Sequence, residues 1–151
     1  DKLGWNYRYT NIQASLGLSQ LKRIDKIVKR KFQIGNYYYK HFKNIPNIIL
    51  QPNKLEYSKN IYWVFGIVLD KNNKHNIKDV IKKLSKKNIG TRPFFWPMHK
   101  QDVFSKIGYF KRISLPNSEY LSKNGFYIPS GLGIKNHELK FVKDAVISIL
   151  K

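Results

Sequence analysis

The 151 residues contain no cysteine, one methionine and only nine acidic side chains against 29 lysines and arginines. Without cysteine they can build no disulfide framework, no thiolate metal site and no thiol nucleophile. That usage fits a reducing compartment, and cytoplasm is the expected location. Long apolar runs are missing too. The longest, "IYWVFGIVL", has the length of a strand and falls short of the ~20 residues that span a bilayer, so no membrane partner is expected. The opening "DKLGWNYRYTN" has no charged-then-apolar signal pattern. Neither common glycine-rich phosphate loop is present, and "PSGLG" places Ser130 outside any nucleophile elbow. His41, His75, His99 and His137 are too widely spaced for a ligand cluster, so no metal is expected. The few carboxylates, from Asp1 to Asp144, fall mostly on helix faces and turns, and no self-contained acid/base pair is visible. No catalytic residue is assigned.

What is there describes a folded chain. Hydrophobic residues make up 42% and aromatics 15%, which excludes a disordered basic tail. One domain of this length buries roughly 70% of its unfolded surface. The net charge of +20 raises the question of a polyanion partner. A basic nucleic-acid-binding module is one alternative, with Tyr37, Tyr38 and Tyr39 as stacking rings. Against it, no nucleic-acid motif appears, consecutive helix positions face different directions, and the lysines are spread from Lys22 to Lys140. The charge is read as composition bias, and no nucleic-acid partner is expected.

Thr10 with Gln13 three residues on forms a capping box. Ile12, Leu16, Leu21, Ile24, Val28 and Phe32 then predict one long helix from about 11 to about 42, stopped by Pro46. "NIILQP" reads as a short strand and "IYWVFGIVLD" as one buried on both faces. Asn76 caps a helix carrying Ile77, Val80, Ile81 and Leu84, with Gly90 as its terminator. A strand follows near Ile89. "SEYLSKNG" predicts a helix ending at Gly125, "FYIPSG" a strand and turn, and "NHELKFVKDAVISIL" a closing amphipathic helix. The expectation is an α/β unit with a long leading helix and a small sheet covered on one face by helices. Its parts are an approach arm (1–9), a long connecting helix (10–43) and an α/β domain (44–151).

Two stretches ask for more than a structural explanation. In "GWNYRYTN", Asn6 and Arg8 precede a helix N-terminus, where unpaired N–H groups favour an anion. An amide beside a guanidinium suits a phosphate, while shaping a turn is the plainer account of the same residues. In "GTRPFFWPMH", Arg92 adjoins a proline-stiffened row of rings with His99 close behind. Such a wall suits a planar or partly apolar ligand carrying phosphate, such as a nucleotide sugar. The competing account is a buried cis-proline turn whose rings fill the core.

"LGWNYRYTNIQASLGLSQLKRID" resembles the "G-[YW]-N-x-R-x-T-N-x-Q-A-A-x-G-x-x-Q-L" signature of the DegT/DnrJ/StrS-type aminotransferases, which use pyridoxal phosphate to aminate nucleotide-linked sugars. "GTRPFFWPMH" is similar to a loop in the family's small C-terminal domain, and "FYIPSGLGIKNHELKFV" to its closing "LPSG" stretch. Order and spacing match over essentially the whole chain. The "RPFFWPMH" form is most similar to members that aminate GDP-4-keto-6-deoxymannose to perosamine.

The resemblance implies the C-terminal small domain of a fold type I aminotransferase, in a homodimer with shared active sites. Glutamate would be the amino donor, a nucleotide-linked keto sugar the acceptor and pyridoxal 5'-phosphate the cofactor. Asn6 carries over as a ligand of the cofactor phosphate of the neighbouring subunit, with Arg8 beside it. Arg92, Phe94, Phe95, Trp96 and His99 carry over to substrate binding. Ser15 and Tyr9 replace a usual alanine and methionine without touching these roles. The family's Schiff-base lysine, its aspartate against the pyridine nitrogen and most of its phosphate cup lie upstream of the match. The 1–9 arm is accordingly expected to lead in from a large N-terminal domain, with the piece inactive alone. A non-catalytic relative that binds a sugar or regulates is the other alternative.

Overall fold

The computed structural model describes residues 5–111 and 113–151; the first four residues of the expected arm, Asp1 among them, lie outside them. The capping box forms as the sequence predicts: the Thr10 side chain accepts from the Gln13 N–H, and the Gln13 side chain accepts from the Thr10 N–H. It opens α1 (Asn11–Leu21), none of whose residues is buried. The single long helix expected over 10–43 is divided, and α2 (Ile24–Phe42) begins after a turn at Lys22–Arg23. The apolar spacing carries the reason. The step from Leu16 to Leu21 is five residues, which swings the stripe off one face of a 3.6-residue helix. The Arg23 N–H tightens the join by bonding to the Gln20 carbonyl at 3.0 Å.

Burial begins only in the second half of α2, where Ile34, Gly35, Tyr38 and Phe42 share one face. Tyr38 stacks on Phe42 at 5.6 Å and tilts against Phe65 at 5.2 Å. Gly35 is needed there because a Cβ would run into the ring of the fully buried Tyr62.

The sheet consists of β1 (Ile48–Leu50), β4 (Phe65–Leu69), β5 (Arg92–Pro93) and β6 (Gly125–Ile128), in the order β1-β4-β6-β5. Every pairing is antiparallel, with Phe65 opposite Ile128 and Arg92 opposite Tyr127. A two-stranded ribbon, β2 (Lys54–Leu55) with β3 (Ser58–Lys59), stands apart. Pro93 sits on the edge strand, where its missing N–H breaks no central ladder. Strand β4 is shorter than the "IYWVFGIVLD" run because Tyr62 has φ 54. That turn sends Tyr62 into the core and leaves Trp63 outside.

Helices α2, α3 (Ile77–Ser85) and α6 (Asn136–Leu150) supply Tyr38, Val80, Leu84, Val142 and Val146 to the core beneath Phe65, Ile67, Phe126 and Ile128. The expectation of a sheet covered on one face needs correction. All five β4 residues are buried, because Phe94 lies over Gly66 and Gly125 on the other face, and Tyr120 of α5 (Pro116–Asn124) bonds to the Leu69 carbonyl at 2.8 Å. Asn76 caps α3 by accepting from the Lys78 N–H at 2.8 Å. Its C-terminus is closed by Asn88 at φ 58 rather than by Gly90. The Ile89 N–H returns to the Leu84 carbonyl and the Asn88 N–H to Ser85, so asparagine does the left-handed work expected of glycine.

Candidate functional site

The site begins just ahead of α1. Asn6 Oδ1 accepts from the Arg8 N–H at 3.1 Å and from Arg8 Nε at 3.3 Å. Both residues are exposed. The bonds occupy the acceptor of Asn6, while its two amide hydrogens and the terminal guanidinium nitrogens of Arg8 make no hydrogen bond among the described residues. A set of donors without acceptors, a few residues ahead of the α1 N-terminus, has the chemistry of a phosphate ligand. The donors therefore fit a phosphorylated cofactor such as pyridoxal phosphate.

A second constellation forms around residues 92–99, and the three rings part company there. Phe94 is half-buried and packs on the sheet, with Cζ 2.6 Å from where a Gly66 Cβ would lie. Phe95 and Trp96 remain 63% and 62% exposed. Phe95 stacks between two neighbours, Trp63 at 6.0 Å with planes 5° apart and Tyr127 at 6.1 Å with planes 25° apart. Trp96 is steadied by Nε1–H donating to the Lys100 carbonyl at 2.8 Å. Arg92 is exposed opposite Tyr127 and lines a cleft of about 250 Å³ with Lys31, Trp63 and Tyr127. Trp96 and Pro97 line another of about 480 Å³, rimmed by Lys78, Lys100, Lys123 and Glu119. None of the three rings joins the core, Phe94 alone packing on the sheet, and no peptide bond among the described residues is cis.

His99 sits differently from an open wall residue. Its side chain is 3% exposed, and Nε2 lies 2.9 Å from Glu119 Oε1. The same carboxylate oxygen takes the Leu115 N–H at 3.4 Å and Lys100 Nζ at 3.5 Å. The hydrogen bond from His99, with smaller help from the Leu115 N–H and Lys100, holds the Glu119 carboxyl below its ordinary range. His99 thereby anchors the end of the aromatic loop to α5.

The structure thus gathers Arg92, Phe95 and Trp96 at the surface and puts Phe94 and His99 behind them. Asn6 and Arg8 stay at the opposite end of α1, and no described cleft joins them to the wall. Three members were missing from the sequence reading. Tyr127 was accessible to period-2 reasoning, since Phe126 beside it faces the core. Trp63 depends on the turn at Tyr62, which no spacing announces. Lys31 ends the basic run "QLKRIDKIVKRK", and its Nζ donates to the carbonyls of Trp63 and Ser130, both at 2.8 Å, while burial pulls its pKa down. The nucleic-acid alternative loses its three-ring platform, because Tyr38 is fully buried with its hydroxyl on the Pro129 carbonyl.

A capped helix preceded by the Asn6–Arg8 pair leads into a small antiparallel sheet with an aromatic edge loop. The sequence matches the DegT/DnrJ/EryC1/StrS aminotransferase family over residues 1–147, and the chain belongs to that family. It is 27% identical over 146 residues to GDP-perosamine synthase of Vibrio cholerae, covering 97% of this chain and 39% of that protein. To the UDP-4-amino-4,6-dideoxy-N-acetyl-beta-L-altrosamine transaminase of Campylobacter jejuni it is 27% identical over 150 residues, covering 99% and 39%. The chain therefore spans about two fifths of the length of these curated relatives. Its fold superimposes on Helicobacter pylori PseC, an aminotransferase of pseudoaminic acid biosynthesis, with a TM-score of 0.85 at 19% identity over 99% of this chain and 40% of that one. The chain has the fold of the corresponding part of that aminotransferase.

Proposed function

We propose that these residues form the C-terminal part of a pyridoxal-phosphate-dependent aminotransferase that converts a nucleotide-linked 4-keto-6-deoxy sugar to its amino sugar, with glutamate as donor, in the manner of a perosamine synthase. Residues 1–9 serve as an arm from a larger domain, 10–43 as a connector and 44–151 as the small domain. The protein works as a cytoplasmic homodimer with shared active sites. Polysaccharide biosynthesis, O-antigen included, would be its setting. The observation that carries the reading is the pair of outward-facing donor sets, Asn6–Arg8 ahead of α1 and Arg92 beside the Trp63–Phe95–Tyr127 stack, in a chain of this family.

When bound, the cofactor supplies the electron sink and carries the amino group between donor and acceptor. The residues here bind and orient. Asn6 and Arg8 would donate to its phosphate from the neighbouring subunit, leaving their bond to each other intact. Trp96 would offer a ring face and Phe95 its exposed edge to the sugar nucleotide, and Arg92 a guanidinium to its diphosphate. Phe94 would pin the loop to the sheet, with His99 fixing its far end. No lysine among these residues is assigned to imine formation, so the piece alone would be inactive.

The test uses the full-length protein with GDP-4-keto-6-deoxymannose and glutamate, following amino-sugar formation by mass. Asn6→Ala should weaken cofactor retention about tenfold, the loss of one hydrogen bond to a charged group. Trp96→Ala should raise the sugar KM with kcat little changed. Cofactor affinity unaltered in Asn6→Ala would remove the phosphate assignment.

A further inference from the structure

Helix α2 donates three side-chain bonds into the loop between β6 and α6. Arg30 reaches the Ile134 carbonyl at 2.5 Å, Lys31 the Ser130 carbonyl at 2.8 Å and Tyr38 the Pro129 carbonyl at 2.8 Å. Lys31 differs from the other two, because the same Nζ also donates at 2.8 Å to the Trp63 carbonyl. One ammonium therefore joins two segments far apart in sequence. One lies just after the turn at Tyr62 and carries Trp63; the other follows β6 and Tyr127. These are the residues between which Phe95 is stacked, and Lys31, Trp63, Tyr127 and Ser130 share the 250 Å³ cleft with Arg92.

We infer that Lys31 is a positioning residue for the sugar-nucleotide wall: by tying the Trp63 carbonyl to the Ser130 carbonyl it sets the spacing of Trp63 and Tyr127, and so the plane in which Phe95 is held. This rests on the substrate reading above for its kinetic consequence, but not for its structural one. The geometry suits the task. An ammonium has three N–H groups, and two are spent on carbonyls in nearly identical bonds, so the cation is fixed from two sides. The Ser130 bond is partly withdrawn from water, where such a bond is stronger and its loss leaves a carbonyl unpaired, and it fixes the ammonium from which the exposed Trp63 bond is made. Trp63 is 69% exposed, and among the described residues it makes this carbonyl hydrogen bond and the ring stack with Phe95. A methylene chain of the same length without the charge would keep α2 packed and release the wall.

The test compares Lys31→Met and Lys31→Arg in the full-length protein, on two independent readouts. In protein labelled with 5-fluorotryptophan, with the Trp63 signal assigned by Trp63→Phe, Lys31→Met should broaden or shift the Trp63 fluorine resonance and leave those of Trp5 and Trp96 in place. Lys31→Arg, which can still donate to both carbonyls, should restore it. In turnover, Lys31→Met should raise the KM for the nucleotide sugar about tenfold with the glutamate KM unchanged, whereas a purely structural loss would lower the amount of active enzyme and leave both KM values alone. If Lys31→Met does not fold, Lys31→Gln, which keeps a single donating group, should give an intermediate shift on both readouts. A Trp63 resonance indifferent to Lys31→Met overturns the inference. A shifted resonance with an unchanged sugar KM upholds the clasp and overturns the placement of the sugar nucleotide on this wall.

Discussion

The first seventeen described residues and the remainder of the chain treat apolar side chains in opposite ways. From Trp5 to Leu21 not one residue is buried, although Trp5, Tyr7, Tyr9, Ile12, Leu16, Leu18 and Leu21 are all large and apolar. From Ile34 onward the rings of Tyr38, Phe42, Tyr62, Phe65 and Phe126 are fully enclosed. The second region folds by consuming its own hydrophobic surface. The first is shaped only by local bonds, the capping box above all, and presents its surface outward. So many exposed large apolar side chains in one stretch are uncommon on a protein that works alone. They suit the proposed arm and connector, which would meet the large domain and the second subunit.

The contrast is broken most severely from within the body. Phe65→Ala removes a ring that touches Tyr38, Phe42 and Tyr62, and should cost about 3–5 kcal/mol of unfolding free energy, measured by urea denaturation of the full-length protein. Gly35→Ala should cost less, about 1–3 kcal/mol, because the added methyl must displace the Tyr62 ring. The same glycine-to-alanine change at Gly17 on α1, where a Cβ meets nothing within 4 Å, should be neutral or stabilising.

A smaller effect is expected from acid. The depressed Glu119 carboxyl gives stability that is present above the ordinary carboxylate range and is lost as pH falls through the lower folded value. Between about pH 5 and pH 3 the aromatic loop should loosen before the core, seen as increased acrylamide quenching of Trp96, and Glu119→Gln should abolish that acid limb. The smallest thermal effect belongs to the leading helix. Leu16→Ser should change the body's stability by no more than ~0.5 kcal/mol, yet shift the sedimentation coefficient of the full-length protein toward the monomer. An unfolding penalty as large as that of Phe65→Ala would show that α1 packs on its own body and erase the distinction.

Much of this was legible in residue order. Thr10 with Gln13 specifies a helix start by chemistry confined to four positions, as does Asn76 with the Lys78 N–H. The family signature around Asn6 and Arg8 and the "GTRPFFWPMH" loop stand in the sequence unaided. Other features were not legible, and each for a stated cause. Gly90 looked like the terminator of α3, but Asn88 takes the left-handed position, a choice made by Ile89 returning to the Leu84 carbonyl. Three adjacent rings at 94–96 read as one wall, while packing against Gly66 and Gly125 drew Phe94 inward and left its neighbours out. His99 looked available until Glu119, twenty positions on, took it.

By itself the sequence determined the family and the capped helix starts, since these depend on side chains and backbone groups within a few residues of one another. The tertiary structure alone decided which rings face outward, that Trp63 and Tyr127 flank Phe95, and that one lysine from a basic run is drawn in to two distant carbonyls. Those outcomes rest on contacts between segments tens of residues apart, where close packing and the need to pair every partly buried polar group select one arrangement that local spacing leaves undetermined.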